Sequence, residues 1–60
     1  MKLYVVCRYS VDEGEVVEGS GVHDNATCED KAHTKWVANL RNREAAENDE
    51  PYVYVVEEVA

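Results

Sequence analysis

Proline is nearly missing from this chain, one residue in 60, and glycine is scarce at three. That excludes collagen-like and flexible low-complexity segments. Long apolar runs are lacking as well, and none approaches the roughly 20 residues of a membrane span. The run Leu3–Cys7 has five residues and stops at Arg8, short of the roughly 7–15 residues of a signal-peptide core. Val6 stands where a lipoprotein signal ending in Cys7 would need a small residue. No targeting signal is read, and the cytoplasm is the expected compartment. Cysteine is limited to Cys7 and Cys28, too few for a disulfide scaffold, so both are expected as reduced, buried, small side chains. Positive charge is the last shortage: 6 Lys and Arg stand against 13 acids, for a net charge of −7.

What is present argues for a folded domain. Four Tyr, one Trp and two Val-rich runs oppose disorder despite the charge. A chain of 60 residues is one domain, and such a chain buries only about 60% of the surface it exposes when unfolded. Residues 3–11 are rich in β-branched and aromatic side chains and predict a first strand. Its odd positions, Leu3 to Val11, are apolar throughout, so that face is expected to turn inward. Asp12-Glu13-Gly14 predicts a three-residue hairpin loop with Gly14 in the left-handed position.

Val11 would then face Glu15, Tyr9 Val17, Arg8 Glu18, Cys7 Gly19 and Val5 Gly21, within a second strand over 15–22. Gly19 and Gly21 would let a helix approach closely. In the alternative, Gly19-Ser20-Gly21 breaks the strand. Thr27 with Asp30 reads as a capping-box variant, rivalled by Asn25 or Asp24. It opens a helix over 28–43 that Ala45 and Ala46 would carry to 48. Cys28, Ala32, Trp36 and Leu40, flanked by His33 and Val37, form the expected core stripe. Asn48-Asp49-Glu50-Pro51 is a breaker, and 52–59 is the third strand.

The economical arrangement is an α+β fold: a three-stranded antiparallel sheet, ββαβ in order 2-1-3, with one helix on one face. Order 1-2-3 would need a parallel right-handed crossover. One helix leaves the other sheet face uncovered. Packing it on Val53, Val55 and Val59 puts Tyr4, Val6, Tyr52, Tyr54 and Val56 on the open face, with Arg8, Glu18 and Glu58 at the rim. Tyr4, Val6, Glu18, Tyr52, Tyr54, Val56 and Glu58 are the candidate binding residues, since exposed apolar patches mark contacts and tyrosine is enriched at hot spots.

Dedicated chemistry finds little support. Cys7, His23, Cys28 and His33 do not have the close-pair spacing of a structural zinc site. Cys28 and His33 would stand about 140° apart around a helix. Adjacent carboxylates are common by abundance alone, and a fold this small has little room for a catalytic cleft. There is no P-loop, dinucleotide fingerprint or nucleophile elbow. The expectation is no enzyme, no metal and no cofactor. Direct nucleic-acid binding is opposed by the charge, since Lys31, Lys35, Arg41 and Arg43 share the helix with Glu29, Glu44 and Glu47. An acidic surface is instead steered toward basic ones, such as the channels of nucleic-acid enzymes.

The layout resembles that of many small phage-encoded proteins, some of which inhibit host RNA polymerase or defence nucleases by binding them. The resemblance lies in size, acidity and element order over the whole chain and carries no site residues. The expected function is therefore an acidic protein-binding module, an inhibitor or adaptor acting on a partner with a basic surface. The alternative is a homodimer joined through the open sheet face or the edge of the third strand.

Overall fold

Strand β1 (Tyr4–Asp12) runs through the middle of the molecule. A computed structural model describes all 60 residues. On one side β1 pairs with β4 (Tyr52–Glu58) at seven positions, from Tyr4 facing Glu58 to Ser10 facing Tyr52. On the other side it pairs with two short strands, β2 (Glu15–Val16) and β3 (Val22–His23). All pairings are antiparallel, and one helix, α1 (Lys31–Glu47), packs on the sheet. The ββαβ architecture with the first strand in the centre is thus present, its second strand divided in two.

The division follows from Gly19, which takes φ +79 in a turn whose ends are joined by the Ser20 N–H donating to the Val17 carbonyl at 3.3 Å. Side chains fill the resulting gaps in the ladder. Ser20 Oγ accepts from the Ser10 N–H at 3.0 Å, and Asn25 Oδ1 accepts from the Val6 N–H at 3.2 Å. A backbone amide cut off from a strand partner has to be met in some other way, and short polar side chains do so here.

The hairpin register also differs from the expected one. The loop has two residues, Glu13 and Gly14, with φ of 53° and 80°. Two consecutive left-handed residues make a primed turn, whose twist matches that of the flanking strands. Asp12 therefore faces Glu15 and Val11 faces Val16. The expected Arg8–Glu18, Cys7–Gly19 and Val5–Gly21 pairs do not form. Arg8 faces Val22 and Cys7 faces His23, while Glu18 sits exposed in the following turn. Gly21 meets no helix; a Cβ there would come 2.5 Å from Cε1 of the Tyr9 ring.

The helix starts later than expected. Cys28 exchanges backbone hydrogen bonds with Tyr4, both at 2.8 Å, which holds it in an extended pairing. Asp30, not Thr27, is the N-cap, accepting from the His33 N–H at 3.1 Å. At the far end the helix takes the longer of the two anticipated lengths. Asp49 turns left-handed at φ 55°, and its N–H and that of Glu50 donate to the carbonyls of Ala46 and Ala45. This is the Schellman closure, with Asp where Gly is usual.

The core stripe is not the expected one. Thr34, Ala38 and Ala45 are the buried helical residues, while Trp36 is 60% exposed. The inward positions are small, so the helix lies close to the sheet. Val37 and Leu40 are half-buried at the flank of the inward face and Trp36 falls outside it, so apolarity alone misplaced the face.

Cross-strand partners point to one side of a sheet. Tyr4, Val6, Arg8, Tyr52, Tyr54, Val56 and Glu58 therefore share a face, and that face carries the helix. Val6 is fully buried, Lys31 Nζ lies 5.7 Å from the Tyr4 ring centroid, and Ala38 lines one groove with Tyr54 and Val56. The tyrosine face expected to be open is covered. The face without the helix, the open face, is the other one: Val5 and Cys7 are nevertheless buried there, Tyr9, Val11, Val53 and Glu57 are half-buried, and Val16 and Val55 are exposed.

Candidate functional site

The candidate binding residues divide accordingly. Tyr4, Val6, Tyr52, Tyr54, Val56 and Glu58 do come together on one sheet face, as expected, but beneath or beside α1. Tyr52 lies under the Arg8 guanidinium, 4.6 Å from its ring centroid, and Tyr54 is tied through its backbone to Asn42. Glu58 pairs with Lys2 at 3.6 Å, both partly exposed. Glu18 stands apart from all of them, in its turn.

The open face carries two features that the sequence pattern hid. The first is apolar and exposed: Val16 at 56% and Val55 at 38%, with Tyr9, Val11 and Val53 half-buried between them. The second is a polar brace. Glu57 accepts from the Cys7 thiol at 3.2 Å through Oε1 and from the Tyr9 hydroxyl through Oε2. Since Cys7 faces Val55 between the Val5–Glu57 and Tyr9–Val53 pairs, the Tyr9–Glu57 bond crosses diagonally over the Cys7–Val55 pair. The missing β-carbon of Gly21 leaves the space its ring occupies.

The three groups shift one another's proton affinity. Burial, then the bond to Glu57, pushes the Cys7 thiol up from 9.0 to about 11. The bond to Glu57 likewise raises Tyr9 above its ordinary range. Those two donors hold the Glu57 carboxyl below its usual value. A thiol that stays protonated is a poor nucleophile, so the arrangement braces the sheet rather than arming a cysteine.

Cys7 and Cys28 are free thiols. No group of three or more His, Cys, Asp and Glu is placed to hold a metal ion. Of the four ligands weighed for zinc, Cys7 is committed to Glu57, Cys28 accepts the Asp30 N–H at 3.3 Å, and His33 stacks on Trp36 with ring centroids 5.9 Å apart. No helix is long and apolar enough to cross a membrane.

Charge is distributed unevenly. The Val11 N–H donates to the Pro51 carbonyl at 2.8 Å, which sets the β1–β2 turn beside the α1–β4 turn. Asp12, Glu13 and Glu15 of the first turn thereby join Glu44, Glu47, Asp49 and Glu50 around the second. The molecule's two ion pairs, Lys2–Glu58 and Arg41–Asp24, use none of these seven. The result is an acidic pole where the two turns meet, with Arg8 and Arg41 lining a cavity beside its Glu44 and Glu50. Val11, Val16 and Val53 of the open face lie next to it.

No protein-family model matches the chain, and no curated protein or solved structure does.

Proposed function

We propose that this chain is a small acidic, non-enzymatic protein-binding module whose partner offers a basic surface with an apolar centre. The observation that carries the reading is the adjacency of the unpaired acidic pole to a surface of exposed Val16 and Val55 with half-buried Val11 and Val53. An apolar core with a charged rim is the usual anatomy of a contact patch. The net charge of −7 speeds encounter with cationic surfaces and repels nucleic acid and anionic membranes. Among cationic protein surfaces, the channels of nucleic-acid enzymes are the class we favour, with the module acting as an inhibitor or adaptor. Its compartment in this reading is the cytoplasm.

The test is inhibition of transcription by a purified RNA polymerase, and of cleavage by a purified nuclease, over a salt series. Wild type is compared with Val16→Ser/Val55→Ser and with Glu13→Lys/Glu50→Lys. Inhibition that weakens with salt and with either pair of substitutions supports the proposal. Equal action by all three proteins would sink it. Self-association through the same open face is the second reading, favoured by the exposed valines alone. A monomer mass at tens of micromolar removes it.

A further inference from the structure

Along the outer edge of β4, a groove of about 330 Å³ runs between that strand and α1. Ala38, Tyr54, Val55 and Val56 supply apolar lining, and Lys31 and Lys35 stand at its side. Two independent features of this groove lack partners.

The first is charge. In a chain with 13 acids, neither lysine belongs to an ion pair. The two such pairs are made by Lys2 and Arg41, while Lys31 Nζ lies over the Tyr4 ring. The groove is therefore a local cationic site on an anionic protein.

The second is backbone. The bonds from Val11 N–H to the Pro51 carbonyl and from Val59 N–H to the Leu3 carbonyl place the odd residues of β1 and β4 in mutual hydrogen bonding. The even residues of β4 therefore turn their amides outward. Tyr52 donates to the Glu50 carbonyl at 2.9 Å. Tyr54 is satisfied on both groups by the Asn42 side chain, at 2.7 and 2.8 Å. Val56, beside the lysines, has no partner on that side. An edge strand with free amides is a template for another strand.

We propose that the groove takes an extended peptide segment bearing a carboxylate side chain flanked by apolar ones. The segment pairs its backbone with Val56, places its carboxylate between Lys31 and Lys35, and lays an apolar neighbour toward Ala38 and Tyr54. Asn42 limits the added strand, because its amide already occupies the edge at Tyr54. Recognition is consequently short, and its specificity comes from the charge.

The probe is a blocked pentapeptide, Thr-Val-Glu-Val-Thr, titrated into the labelled full chain and followed by amide and lysine-methylene chemical shifts. Saturable shifts at Lys31, Lys35, Ala38, Val55 and Val56 are expected. Lys31→Gln/Lys35→Gln, which leaves the rest of the spectrum in place, should weaken binding about fivefold to tenfold, the range of two exposed ion pairs. The lysine-for-glutamate peptide should not bind. A peptide N-methylated at the amide facing Val56 should lose binding as well. The proposal is overturned by absence of saturable shifts or by equal binding of the lysine peptide. Indifference to the double substitution, or to N-methylation, also defeats it. Acetate reproducing the same shifts at the same affinity would mean a small-carboxylate site and no strand pairing.

Discussion

Glu57 and the two donors that hold it make the pH behaviour of this protein readable at single residues. The Glu57 carboxyl binds its proton less readily in the folded chain than in the unfolded one. Its contribution is therefore present above its ordinary 4.5 and lost as pH falls through the lower folded value. Cys7 and Tyr9 have raised values, so their contributions are complete below their ordinary 9.0 and 10.0 and fade as pH rises through the folded values. Thermal midpoints across the pH range should form a plateau between these limits. Glu57→Gln should flatten the acid limb, and a slope unchanged from wild type would contradict the assignment.

Thiol labelling separates the cysteines by the same logic. With a value of about 11, Cys7 is thiolate in only about one molecule in a thousand at about pH 8. It is also 3% exposed, against half-buried Cys28. Labelling should proceed in two phases, Cys28 first; Glu57→Gln should quicken the slow phase without abolishing it, since burial remains, and urea should merge the two. Gly21 belongs to the same small assembly. Gly21→Ala drives a methyl group into the Tyr9 ring and should lower stability by about 1–2 kcal/mol, within the range for overpacking. A neutral result in urea unfolding would mean that the ring simply swings away.

Elements were legible in the sequence where periodicity and propensity agreed. Strands β1 and β4 and the body of α1 fall close to their predicted ranges, because Val and Tyr runs and the Ala-rich, break-free helix leave few alternatives. The faces were not legible. The helix turns Thr34, Ala38 and Ala45 to the sheet and leaves Trp36 out, an arrangement chosen by close approach and not by side-chain size. The hairpin slipped by one position because Glu13 accepts a left-handed conformation normally left to Gly or Asn. A one-residue change of register turns the side chains of β2 over relative to β1, whereas the binding residues of β1 and β4 kept their common face and lost their exposure because the helix packs on that face.

Asp49 is the matching oddity at the helix end. Asp49→Gly should relieve its left-handed strain and gain about 0.5–1 kcal/mol, measured by the urea midpoint. A loss of stability would show that the Asp side chain contributes something the turn geometry does not reveal. Asn42 predicts the opposite sign. Asn42→Ala removes two bonds to the Tyr54 backbone and should cost about 1–3 kcal/mol.

For the whole molecule, shortness and charge combine. A thin core of five buried apolar residues must hold together a surface in which seven acids crowd two adjoining turns without ion-pair partners. Self-repulsion of this kind is screened by salt. Raising the ionic strength from a few millimolar to about 0.5 M should lift the thermal midpoint by about 4 °C, equivalent to roughly 0.5–1 kcal/mol in a domain of this size. A midpoint that falls or stays level would mean that the pole is already neutralised by bound counterions. The same charge placed at the pole, and absent from the groove beside Lys31 and Lys35, gives the body two regions with different electrostatic preferences.

The sheet is completed at three places by side chains in the role of strands: Ser20 for Ser10, Asn25 for Val6 and Asn42 for Tyr54. A rotamer can release such a bond without any strand leaving the sheet. The amide protons of Val6, Ser10 and Tyr54 should therefore exchange with deuterium through small local openings that ignore denaturant. Those of Val5, Cys7 and Tyr9, locked between β1 and β4, should wait for global unfolding. The central strand would then carry two exchange clocks, the fast one at Val6 and Ser10 only, since Tyr4 donates to the Cys28 backbone and Arg8 is paired with β3.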